Sequence, residues 1–239
     1  MPPKLYGWEH LTYLAIYAIV VVATLLLIHF FVKTDKQKAI AIKVIAGILL
    51  ICIITNRISI AVKNSDFWTI LPNTYCGTTS LSLALFVLFG KPNLKAYHFL
   101  WYIGVLGGLI TMFYPDFLGQ DISFMYLPTI SGMLHHSMLL LLTIVMCQLK
   151  WFEPSLENWK WFPIGICVFT IYGLFIMDIF KWDHAMCIGS ALIEGTILNW
   201  WFILIVGSIL LLGFLFLYEF IKIKLYLKKI NNALNNVSK

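Results

Sequence analysis

Cys76, His135 and His136 are the residues of this chain whose types and spacing could support covalent chemistry. A thiol attacks a carbonyl carbon as its thiolate, and an imidazole within reach can take the proton. Cys76 closes the run Leu71-Pro72-Asn73-Thr74-Tyr75-Cys76. A proline here suits the opening turn of a helix. The thiol then sits in that first turn, where the positive end of the helix dipole favours a thiolate and free backbone N–H groups could hold an oxyanion. Two adjacent histidines on one helix point about 100° apart, so at most one of them faces Cys76. The alternative is that Cys76 packs as a small apolar side chain inside a helix interface.

These residues must be positioned by membrane helices. The chain has 239 residues, of which 61% are hydrophobic and 12% charged; a soluble domain has about a quarter charged. The charges cluster between apolar runs long enough to cross ~30 Å of hydrocarbon. A backbone in lipid must satisfy its own hydrogen bonds, so these runs are helices. Seven spans are expected, at about 11–32, 40–60, 72–90, 96–113, 128–149, 161–180 and 197–221, followed by a basic interfacial tail at 222–239. Residues 117–127 read as a short amphipathic interfacial segment. The fold class is an all-α polytopic membrane bundle forming one domain over 1–239. The first apolar run lacks a basic leader and a small-residue cleavage site, so it reads as a retained span.

Seven spans put the termini on opposite sides. Thirteen of the seventeen basic residues fall on one side, and only Lys4, Arg57, Lys63 and Lys181 on the other. The positive-inside rule then places the N-terminus outside and the C-terminus inside. On this topology the unusual polar residues gather at the outer face. His10 opens the first span, Asn56 and Arg57 close the second, and Thr74 and Cys76 open the third. Asp116 ends the fourth, His135 and His136 lie about two turns into the fifth, and Asp178, Asp183, His184 and Glu194 flank the last two. Polar groups retained in hydrocarbon usually face the bundle interior. Their convergence suggests a shared pocket.

Other features narrow the function. The formal net charge of +6 is dispersed over loops and tail, which suits topogenic charge and anionic headgroups rather than nucleic acid. The five cysteines form no C-x-x-C pair and no metal spacing, so neither a metal nor another cofactor is expected. No P-loop, G-x-G-x-x-G, H-E-x-x-H or G-x-S-x-G occurs. Gly104, Gly107 and Gly108 read as a close helix contact. A rival function remains: a small-molecule transporter or solute-binding bundle using Asp178, Glu194 and the histidines.

The run ending at Cys76 resembles the L-P-x-H-x-C signature of the YwaF-type membrane family, which includes animal transmembrane protein 164. Phe99 through Gly108 is similar to its fourth-helix block, Tyr114-Pro115-Asp116 to its T-P-[DE] turn, and His135-His136-Ser137 to its histidine motif. Trp8-Glu9-His10 lies where the family places an N-terminal histidine. The resemblance covers about residues 8–146. It implies a multispan bundle acting in lipid acyl transfer, with Cys76 as nucleophile and His136, or else His135, as base. The family's histidine two residues before the cysteine is Thr74 here; its task is lost or falls to His10 or His184. The expected function is movement of a fatty acyl group from a phospholipid, through a thioester, to a lyso-lipid or lipoprotein acceptor. The expected setting is the outer leaflet of a bacterial cell membrane. Thr74, Arg57, His10, Asp116 and His184 would contact substrate, Thr74 by hydrogen bond and Arg57 through phosphate.

Overall fold

The computed structural model describes residues 3–115, 123–191 and 195–237, with side chains as far as residue 228. Asp116, Glu194 and most of the interfacial segment expected at 117–127 lie outside the described residues. The described residues form seven α-helices: α1 (Trp8–Phe31), α2 (Asp35–Asn64), α3 (Tyr75–Phe89), α4 (Tyr97–Phe113), α5 (Leu127–Gln148), α6 (Trp161–Phe180) and α7 (Trp200–Val237). Short 3-10 turns at Phe67–Ile70 and Leu156–Asn158 precede α3 and α6. Among the described residues the only β pairing is a bridge between Ala185 and Ile188.

Local chemistry sets the helix ends. Thr34 and Gln37 form a reciprocal capping box, which starts α2 five residues before the apolar run suggested. Pro128 stands in the first turn of α5, where its missing N–H costs nothing. α6 ends at Lys181, whose left-handed backbone (φ 54°) turns the chain out of the helix. The basic tail does not break from the last span; it continues α7 to Val237.

Five helical stretches are long and apolar enough to cross a bilayer: α1, α2, α5, α7 and the stretch ending in α6. α3 and α4 are apolar but have 15 and 17 residues, about 22 and 25 Å at 1.5 Å per residue. In the most apolar windows, 72% of α5 is buried but only 6% of α1 and of α7. Thus α5 is the axis, α2, α3 and α4 pack around it, and α1 and α7 flank the bundle. Packing of α4 depends on its glycines. A Cβ on Gly104 would lie 3.1 Å from Thr143 and one on Gly108 only 2.9 Å from Leu140 Cβ, so small residues let the backbones approach.

Hydrogen bonds show which ends share a side. The start of α1 meets the end of α4 through His10 and Met112 (2.9 Å). The end of α2 meets the start of α5 through Asn56 and Pro128 (3.2 Å). At the opposite side, Gln148 at the end of α5 donates to Leu25 O (2.9 Å), and Tyr97 at the start of α4 donates to Phe86 O (2.9 Å). The paired ends make α1 antiparallel to α4 and parallel to neighbouring α5, α2 antiparallel to α5, and α3 antiparallel to α4.

Candidate functional site

The segment that delivers Cys76 is fixed carbonyl by carbonyl. Arg57, near the end of α2, donates through Nε to Ile70 O (3.3 Å) and through Nη2 to Leu71 O (2.9 Å) and to Thr69 O. Pro72 O accepts from Thr78 Oγ1 (3.2 Å) and from the Tyr172 hydroxyl of α6 (3.1 Å). Asn73 O accepts from the Met186 N–H (2.8 Å). Five successive carbonyls from Thr69 to Asn73 therefore have partners, and a loop so satisfied holds one conformation. Arg57 is committed to this turn through three of its five donor hydrogens; the two on Nη1 stand outside these bonds.

Thr74 is the N-cap of α3, and its hydroxyl accepts from Gly77 N (3.1 Å). The position that holds histidine in the related motif is thus filled by one of the best capping residues. Thr74→Ala should destabilise the chain by about 1 kcal/mol, measurable as a lower unfolding midpoint in detergent; an unchanged midpoint would contradict the capping role. Tyr75 and Cys76 belong to the first turn of α3, at the positive end of its dipole.

Cys76 is half-buried in that turn. Its sulfur lies against the bare backbone of Gly107 on α4: a Cβ built on Gly107 would be only 2.6 Å from Sγ. Ser80, one turn further along the same face of α3, meets His135 Nδ1 of α5 at 3.3 Å. The rings of His135 and His136 are 4.0 Å apart, centroid to centroid. Both are buried, and His136 Nδ1 has no hydrogen-bond partner. α3, α4 and α5 thus meet at one place, and the imidazole bound to α3 through Ser80 is that of His135, not the His136 preferred from the motif alignment.

A cavity of about 260 Å³ opens beside them, lined by Asn56, Arg57, Lys63, Asn64, Thr74, Gly77, His135 and His136 with Ile60, Pro128 and Gly132. It carries two cationic side chains and, among the described residues, no acidic one. Cys76 is not in this lining; its neighbour Gly77 is, so the thiol stands behind that wall toward α4. Across Arg57, Ile60, Asn64 and Thr74 lies a second cleft of about 500 Å³, lined also by Thr69, Asn73, Lys181, Trp182, Asp183 and His184.

The remaining expected residues are dispersed. His10 is fully buried; its Nδ1 accepts from Tyr6 N (3.2 Å), so Nε2 carries the hydrogen and donates to Met112 O (2.9 Å). Both ring nitrogens are occupied, Nδ1 by the chain entering α1 and Nε2 in clasping α1 to α4, so the ring is no spare base for Cys76. His184 is exposed on the second cleft, sharing it with Arg57 and Thr74. Asp178 is a surface residue paired with Lys181 (3.2 Å). Among the described residues no group of three His, Cys, Asp or Glu side chains could hold a metal ion.

Sequence reasoning missed Ser80, Tyr172 and Ser131, and gave no role to Ser137. Ser80 had a signal, since it lies four residues from Cys76. Ser131, which joins Asn56 Nδ2 (3.2 Å) and Ser59 (3.4 Å), had none beyond being polar in an apolar run, while Ser137, which meets the Tyr13 hydroxyl (2.7 Å), stood in the histidine motif without an assigned role.

The family model described as the TMEM164 family matches residues 5–219. No curated protein and no solved structure matches the chain.

Proposed function

The chain belongs to the TMEM164 family, and from that premise we propose that it is a membrane-embedded, cysteine-dependent acyltransferase working on glycerophospholipids. The observation that carries this reading is the union of Cys76 and His135 on one structural unit: the thiol in the first turn of α3, and the imidazole bound to Ser80 one turn along the same face. An imidazole fixed through one ring nitrogen keeps the other for proton transfer, the general logic of a base held by a third group.

The His135–His136 pair takes the Cys76 proton, and the thiolate adds to the ester carbonyl carbon. The tetrahedral intermediate collapses as its C–O bond breaks, and the departing lyso-lipid oxygen takes the proton back from the imidazolium. The acyl group is now a thioester on Cys76. A hydroxyl of a lyso-lipid, or an amine of a lipoprotein, gives its proton to the imidazole and attacks that thioester; the C–S bond breaks and the thiol is restored. The start of α3 is placed to stabilise the oxyanion, as the positive end of a helix dipole does for developing negative charge. Arg57 Nη1 and Lys63 supply positive charge beside the histidines for a phosphate.

We place seven helices across the membrane, with α3 and α4 shorter than the bilayer core and enclosed by longer neighbours. The lysine bias supports an outer N-terminus and hence a site facing the outer leaflet of the membrane. A solute-relay function has less support, because Asp178 is engaged in an exposed ion pair.

The purified full-length chain in liposomes carrying a labelled diacyl phospholipid and an unlabelled lyso-lipid tests this reading. Label should move to the acceptor, and His135→Ala should slow transfer by about a hundredfold or more, with a smaller loss for His136→Ala. Equal activity of both variants and wild type would remove the histidines from the mechanism. Gly107→Ala places a methyl where the sulfur now sits, so the thiol must rotate away. Transfer is then expected to fall by about a hundredfold while the unfolding midpoint moves little; undiminished transfer would contradict the placement of the sulfur.

A further inference from the structure

α7 runs unbroken for 38 residues, about 57 Å of helix at 1.5 Å per residue, against ~30 Å of hydrocarbon in a bilayer. The mainly apolar section, interrupted by Ser208 and Glu219, closes near Ile221, and the helix continues through Lys222, Lys224, Lys228 and Lys229. One series of apolar residues recurs over this stretch at 216, 220, 223, 227, 230, 234 and 237, in alternating steps of four and three, with Leu217, Ile221, Leu225 and Tyr226 outside it before Lys228. That is a heptad, with Phe220, Leu227 and Leu234 at its a positions and Phe216, Ile223, Ile230 and Val237 at d. Past Lys228 the large apolar residues occur only at a and d, with lysine and asparagine at b, c, e and f. A helix lying flat in a membrane surface carries a broader apolar face, whereas two positions in seven is the narrow seam of a coiled coil.

The seam does not face the chain's own bundle. Leu211 and Leu215 are buried against the bundle, and Lys222 on that same side pairs with Glu153 at 2.6 Å. Phe216, Phe220, Ile223 and Leu227, on the far side, are 54–64% exposed. Charge identifies what covers them. Glu219 falls at g and Lys224 at e, five residues later, the offset at which g of one strand meets e of the next in a parallel coiled coil. Insertion in one membrane gives every copy the same orientation, so the α7 helices of neighbouring copies are parallel.

We propose that the C-terminal half of α7 is a self-association element, through which copies of this chain join in a parallel coiled coil over residues 216–237. Leucine at a with isoleucine at d favours three or four strands over two. The test uses the full chain in native membranes under a mild oxidant, with the parent protein setting the background from its own cysteines. Ile230→Cys, on the seam, should cross-link between chains, while Lys228→Cys, off it, should stay at background. Equal cross-linking of the two, or none from either as a membrane-lying tail would give, overturns the proposal. By light scattering in detergent, wild type should have an oligomeric mass, Glu219→Lys should lose it, and Glu219→Lys with Lys224→Glu should regain it. A monomeric wild type overturns the proposal, as does a monodisperse, folded double variant that stays monomeric.

Discussion

Cys76→Ser will reduce acyl transfer by about a thousandfold or more and leave the fold intact. Serine is nearly isosteric with cysteine and fits the same space against the bare backbone at Gly107. The hydroxyl, however, is far less acidic than the thiol and would need a stronger base than a neighbouring imidazole alone. The measurement is labelled-acyl movement between phospholipids in liposomes, with the unfolding midpoint as the control for integrity. A serine variant that keeps transferring acyl groups at the wild-type rate would leave the thiol with a packing role only.

The second large effect is structural. Arg57→Ala should destabilise the chain by about 3 kcal/mol, because three half-buried carbonyls of the 69–71 turn lose one charged donor at once. Arg57→Lys should rescue little, since an ammonium cannot reproduce the fork that meets three acceptors at once. Activity should fall with stability, as the freed turn no longer sets the start of α3. Denaturant unfolding in detergent micelles checks this: a variant as stable as wild type would mean that the turn holds itself.

The contrast between these residues shows what was legible in the sequence. The helical architecture was, because in lipid only a continuous hydrogen-bonded helix satisfies its backbone, and apolar runs broken by charged clusters mark such helices directly. The run expected at 161–180 coincides with α6, and 96–113 with α4 to within a residue. α2 began earlier than hydropathy indicated because a capping box, not apolarity, sets its start. Gly104, Gly107 and Gly108 announced a close contact by size alone. Which face of each helix turns inward was not legible. Lipid is as apolar as the protein interior, so α1 and α7 are as hydrophobic as buried helices while facing outward.

Within the site, Cys76, His135 and His136 could be named from type and position, and α3, α4 and α5 meet beside them. Their roles were less readable. Arg57 carried a charge that suggested phosphate, yet most of its donors serve the backbone. His10 had the identity of a base, yet one nitrogen is spent on the Tyr6 N–H and the other on the α1–α4 clasp. Thr74 read as a departure from a motif and proves to be the cap on which the cysteine-bearing turn begins. In each case the deciding partner is a backbone group distant in sequence or a turn away, and no periodicity encodes it.

The claim beneath the mechanism is that Cys76 carries the acyl group in transit. Intact-protein mass spectrometry of the chain incubated with diacyl phospholipid alone, without acceptor, tests this most directly. The expected spectrum shows one added acyl mass, mapped to Cys76, removed by hydroxylamine and absent from Cys76→Ser. A chain that moves acyl groups between lipids while Cys76 stays unmodified, or whose adduct survives the serine substitution, would contradict it.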